Sequence, residues 1–263
     1  MRKCLLLSLG LSFCLAGVAG AQTEFPFSDD FETGEPKPNW DVDSVETTSV
    51  FGTRGDLVAV MDDVDWRGEL IEPPGGNYMG RLSWAAPSSG TYWRLVGEPD
   101  ATNYTVEADI YVPTIDAADP PDNFLYQMIV LSDNAGGYAR LHFQHNVNTE
   151  AIDAPRIRVQ TAYPSLATVT ADATEDLLGD DSEGWYHVRI EQDHDASTLM
   201  VYINGVDVYD GILTVTPAAF ADGGKSGIGG FIFGDTGGMA RSVYFDNFFA
   251  GEWTDVGDWA VYE

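Results

Sequence analysis

Hydrophobic and polar positions alternate with a period of two along several short segments of the chain, and these segments are rich in aromatic and β-branched residues. They are "NYTVEADIYV" (103–112), "FLYQMIVLS" (124–132), "YARLHFQ" (138–144), "RIRVQTA" (156–162), "WYHVRIEQD" (185–193), "LMVYI" (199–203), "VDVYD" (206–210) and "SVYFDNFFA" (242–250). Successive side chains on a strand point to opposite faces, so each segment reads as a strand with one apolar face. Gly, Pro, Asn or Asp bounds every one of them. Asn204-Gly205, between two such runs, predicts a tight hairpin, because a type I′ turn needs positive φ at both central residues. The segment 167–184 reads as a loop with one short helical turn, and 222–240 as glycine-rich loops around one short strand. Short strands without interleaved helices predict an all-β fold, an antiparallel two-sheet β-sandwich of the jelly-roll kind.

Two neighbouring segments carry an unusual polar face. Arg140, His142 and Gln144 occupy alternate positions of one, and Arg156, Arg158 and Gln160 alternate positions of the next. If the two strands pair antiparallel, Leu141, Phe143, Ile157 and Val159 pack inward and the six polar residues share the other face. Arginine binds carboxylates in a bidentate fork, and Gln and His bond hydroxyls, so this row suits an acidic or sulfated glycan. Any single arginine is explained as well by pairing with a local carboxylate, worth about 0–1 kcal/mol when exposed. The row as a whole reads as a ligand face.

Charge sharpens the question. Residues 1–21 hold Arg2 and Lys3, an apolar run and Ala19-Gly20-Ala21, the pattern of a secretory signal cleaved after Ala21. Phe13 precedes Cys14, where a lipoprotein signal needs a small residue, and both cysteines fall in the removed segment, which excludes disulfides and cysteine-bound metals from the mature chain. The expected mature domain, 22–263, is a single sandwich. It keeps all 42 acidic residues against 11 basic ones (13 less Arg2 and Lys3), a formal charge of −31. Such a field repels nucleic acid and anionic membranes. With no later apolar run long enough to span a bilayer, the chain reads as exported, extracellular or periplasmic, without membrane insertion.

The segment "GWYHVRIEQDHDASTLMVYINGVDVYDG" (184–211), a Trp opening a strand that leads into an Asn-Gly hairpin, resembles the laminin G-like and concanavalin A-like lectin/glucanase group. "FSDDFETGEPKPNW" (27–40) resembles its first strand and "SVYFDNFFAG" (242–251) the closing strand that pairs beside it. "DDFETG" with Trp40 and the late "FDN" is also similar to the galactose-binding-like jelly roll; the hairpin favours the first group. The resemblance implies two curved antiparallel sheets with glycans bound across the concave one, and it does not imply one activity. It also implies a structural calcium where the first and last strands meet. Asp30, Glu32 and Asp246 match by position, with Asp29 and Asn247 beside them. The alternative is that acids at strand edges deter aggregation.

The catalytic signatures of this fold are partial. "VEADIYV" supplies Glu107 and Asp109, but the further glutamate of a glucanase strand is absent, and the pair is expected on an outer, solvated face. Polysaccharide lyases of the resembled fold use an Arg and a Gln to neutralise a uronate carboxylate, a His or Tyr as base and a Tyr as acid. Arg140, His142, Gln144 and Tyr138 or Tyr126 match those types only. The expected function is therefore a secreted carbohydrate-binding domain for a polysaccharide. A uronate lyase acting by β-elimination comes second, and a non-catalytic structural or matrix module third.

Overall fold

A computed structural model describes residues 26–38, 40–41, 56–64, 68–83, 90–95, 103–112, 124–132, 138–144, 156–161, 167–171, 184–193, 198–207, 213–214, 225–232 and 242–252. The expected signal segment and both cysteines lie outside the described residues. Eighteen strands and no helix are described. In chain order they are β1 (Phe27–Asp29), β2 (Trp40–Asp41), β3 (Asp56–Val60), β4 (Asp63–Val64), β5 (Leu70–Ile71), β6 (Met79–Ser83), β7 (Gly90–Leu95), β8 (Asn103–Val112) and β9 (Phe124–Ser132). They continue with β10 (Tyr138–Gln144), β11 (Arg156–Thr161), β12 (Ala167–Ala171), β13 (Gly184–Asp193), β14 (Thr198–Ile203), β15 (Val206–Asp207), β16 (Leu213–Thr214), β17 (Lys225–Ile232) and β18 (Ser242–Glu252).

All pairings among the described residues are antiparallel, and the chain is an all-β sandwich of two large sheets. One sheet runs β15-β14-β13-β8-β18-β6-β3, with β1 on β18 and β16 on β14; the other runs β12-β11-β10-β9-β17-β7-β2. At the start of the segment 167–184, Ala167–Ala171 is strand β12, because its Ala-Thr-Val-Thr-Ala alternation finds a partner in β11. The rest of that segment up to 183, and with it the expected helical turn, lies outside the described residues. The glycine-rich stretch 222–240 contains an eight-residue strand, β17, longer than its composition suggests; β9 and β7 supply pairing on both sides. At the expected hairpin, Asn204 has φ 47° and Gly205 φ 77°, the left-handed pair a type I′ turn needs.

Aromatic rings join the sheets. Trp40, on β2 of the seven-stranded sheet, packs against Phe248 of β18 at 4.7 Å between ring centroids and against Phe27 of β1 at 5.7 Å, edge to face. Phe31 meets Phe245 at 5.2 Å in the same cluster. A Cβ at Gly80 would lie 2.7–2.9 Å from the Phe31 and Phe245 rings, so glycine lets them close over β6. A bulge makes the cluster possible. Between Asp246 and Phe249 the β18–β8 register slips, and Asn247 sits at φ 49°. Phe245 and Phe248, three apart, consequently both face the core, with Asp246 buried between them in sequence.

A small second cluster lies on the outer face of the nine-stranded sheet. The β4–β5 hairpin folds over it, burying Ile71 against Met79, Tyr111 and Tyr244, with Val60 and Trp185 packed alongside. Trp185 donates its indole N–H to the Glu72 carbonyl (2.8 Å), and Asp63 accepts from Arg81 (2.8 Å) and Tyr244 (3.1 Å).

Candidate functional site

The junction of the first and last strands is built on carboxylates with different tasks. Phe27 is buried, so two residues on, Asp29 points the same way and is 1% exposed. Its Oδ2 accepts from the Lys37 amide (2.8 Å) and the Trp40 indole (2.8 Å), and its Oδ1 from the Phe31 amide (3.1 Å). Three donors on one buried carboxylate hold Phe31 at φ 56°, an uncommon backbone for a bulky residue. Asp29 is thus a structural clamp.

Glu32 is also committed. It accepts from the Asn77 amide (2.7 Å), the Tyr78 amide (2.9 Å) and Asn77 Nδ2 (3.2 Å), and the two backbone bonds hold its carboxyl below the usual range. A Cβ on Gly76, at φ 68°, would collide with that carboxylate. Asp30 is exposed, and its Oδ1 receives the Glu32 amide at 3.3 Å. Asp246, 2% exposed, accepts from the Asn247 amide (2.8 Å) and pairs across the strands with Asp109. Burial pushes its carboxyl up to about 7, against the Asn247 hydrogen bond, with the charges of Asp109, Glu32 and Asp30 adding to the rise. Among the described residues no three His, Asp or Glu side chains converge as a metal-ligand set. Asp30, Glu32 and Asp246 therefore share one electrostatic neighbourhood without forming a finished cage.

Glu107 and Asp109 lie where expected, on the outer face of the nine-stranded sheet. Asp109 is opposite His187 and Glu107 opposite Arg189 in the register. His187 Nδ1 donates to Asp109 (2.8 Å) and its Nε2 stands 3.6 Å from Glu107, while Asn247 Nδ2 donates to the other Asp109 oxygen (2.7 Å). Burial alone would lower the imidazole, but hydrogen bonds and charge from both carboxylates raise it to about 9. The acids are occupied by cations, an arrangement suited to holding β8 against β13 rather than to attacking a sugar.

The polar row lies in the other sheet. β10 and β11 are antiparallel neighbours, with Leu141 opposite Val159, His142 opposite Arg158, Phe143 opposite Ile157 and Gln144 opposite Arg156. Which face this is follows from β7, where Leu95 pairs with buried Trp40 and Trp93 with buried Ile228. Tyr92 and Arg94 occupy the alternate positions of the strand, those of the other face. Gly227 continues that face from Arg94 to Val130 of β9, and Val130 to Arg140 of β10. Arg140, His142, Gln144, Arg156, Arg158 and Gln160 thus occupy positions on one non-core face. Tyr138, opposite Ser132, belongs to it, whereas Tyr126, opposite Phe143, belongs to the core-side set. Tyr92, Arg94 and Lys225 share the polar face and escape the sequence reading, although Tyr-Trp-Arg-Leu (92–95) carries the same alternation. His145 and His194 lie outside the described residues.

No protein-family model matches the sequence, and no curated protein matches it. Solved structures do match in fold. The carbohydrate esterase vb_24B_21 of the Shiga toxin-encoding bacteriophage phi24B aligns over 86% of this chain and 97% of its own, with a TM-score of 0.52 and 14% identity. The apo Crh5 transglycosylase aligns over 87% and 84%, at 0.50 and 10%. A sialidase aligns over 88% of this chain but 18% of its own, at 0.50 and 14%. At such identities the likeness is one of fold, and each chemistry belongs to the protein that bears the name.

Proposed function

We propose that this chain is a secreted glycan-binding sandwich whose seven-stranded sheet receives an acidic polysaccharide on its non-core face. The observation that supports this most is the β10–β11 register, which puts His142 level with Arg158 and Gln144 level with Arg156. Arginines on neighbouring strands match repeated carboxylates, and the intervening amides match hydroxyls. Two of the structural neighbours bear names from carbohydrate chemistry, in keeping with a sugar ligand. Calcium belongs to the proposal as a structural ion at the β1–β18 junction, with Asp30 and Asp246 as its carboxylates. The crowding of negative charge around Asp246 supports it.

The test is isothermal titration of the mature protein with alginate, polygalacturonate and a neutral glucan. Binding of an acidic polymer is expected, with loss in Arg156→Ala/Arg158→Ala and retention in Arg54→Ala, which lies outside these strands in sequence. Equal binding of all three polymers, or of none, would overturn the proposal. The lyase reading draws on Tyr138, His142 and Arg140 sharing the face. It requires products absorbing as unsaturated uronates, lost in His142→Ala while binding persists.

A further inference from the structure

Building on the proposed glycan face, the register runs a second cationic position into line with the first. Arg140 pairs with Val130, Val130 with Gly227, and Gly227 with Arg94, one unbroken row across β10, β9, β17 and β7. Next to it, Tyr138 pairs with Ser132 and Ser132 with Lys225. Between the two arginines the row holds a valine and a glycine, neither of them charged. Three strand steps at about 4.8 Å separate Arg140 from Arg94, about 14 Å in all. A pyranose residue in an extended polysaccharide advances by a distance similar to one strand step.

We infer that Arg94 is a distal subsite for a uronate polymer lying across the strands, with Arg140, Arg156 and Arg158 as the proximal one. A bound chain of four or more residues is long enough to reach both register positions; a disaccharide reaches one. Recognition is therefore of length as well as charge. The competing role for Arg94 is a cross-strand pair with Asp41, its register partner on β2. That role affects stability and is indifferent to ligand length.

The test titrates di- and hexasaccharides of mannuronate, guluronate and galacturonate into wild type, Arg94→Gln and Arg158→Gln. Arg158→Gln is expected to weaken both lengths. Arg94→Gln is expected to weaken the hexasaccharide by about tenfold, the loss of one charged hydrogen-bonding group, and to leave the disaccharide unchanged. No effect of Arg94→Gln at either length, or an equal effect at both, overturns the inference while leaving the glycan face standing if Arg158→Gln still matters. Absence of binding by wild type would instead remove the function on which it rests. If Arg94→Gln does not fold, Arg94→Lys replaces it, since an ammonium cannot reproduce the bidentate contact. Wild-type affinity for the hexasaccharide in that variant is equally decisive against the distal subsite.

Discussion

Replacing Asp29 by Asn tests whether the acidic start of the domain is a clamp or merely part of its negative surface. The change is nearly isosteric and removes one charge from a chain of formal charge −29. Were Asp29 one more solvated acid, relief of repulsion would leave stability unchanged or slightly raised. The structure requires the opposite. With the amide oxygen in the Oδ2 position, the Lys37 and Trp40 donors are kept and the NH₂ faces the Phe31 amide; with the amide flipped, it faces two donors. The better arrangement still loses a charge-assisted bond and leaves a buried donor unmatched, a cost of about 2–3 kcal/mol. In a domain of this size that corresponds to about 4–12 °C in melting temperature. Urea unfolding at pH 7 followed by tryptophan fluorescence measures it. A variant within about 0.5 kcal/mol of wild type, the scatter of ordinary surface substitutions, would refute the clamp. Glycan affinity should not change, because the proposed binding face belongs to the other sheet.

His187 gives a pH signature of known sign: its folded-state value of about 9 stands above the ordinary 6.5, so its contribution is complete below pH 6.5 and is lost as pH rises through 9. Urea midpoints at pH 6, 7.5 and 9 should decline for wild type and flatten for His187→Gln; parallel slopes would show that the Asp109–Glu107 pairing does not hold the imidazolium. Asp246 also binds its proton more tightly when folded, at about 7, so its burden grows as pH rises from about 4 to 7 and is full above that. At pH 8 with chelator, Asp246→Asn should melt higher than wild type, whereas added calcium should raise only the wild type; no response of wild type to calcium or chelator would take the ion out of the junction.

The strands from β8 to β11, and from β13 to β15, were legible because Val, Ile, Tyr and Phe alternate there with polar residues and turn formers mark the ends. β3, β6 and β7 were not, being short strands whose pairing partners are distant in sequence. β17 was hidden by glycines that a central strand tolerates when neighbours pair on both sides. At the acidic junction the chemistry was visible and the roles were not. Alternation from buried Phe27 does point Asp29 inward, but the donors that occupy Glu32 lie 45 and 46 residues away and carry no local signal.

The polar face shows where alternation stops being enough. Within β10 and β11 the row can be read directly, since both strands keep a strict period of two and pair without a slip. Extending it to β7 depends on β9, whose pairing with β10 passes from Ile129 to Gln127 between Leu141 and His142. The pairing of β9 with β17 slips over the same stretch. One extra residue, at Met128, puts Gln127 and Val130 on a common face although they are three apart. Strict alternation from Gln127 would instead send Val130 to the core side, and Gly227 and Arg94 with it. The apolar run Met-Ile-Val-Leu contains nothing that announces a bulge, because each of its residues is acceptable on either face. Whether Arg94 joins Arg140 is therefore decided by a single inserted position in a central strand, a property of the sheet that no segment read alone contains.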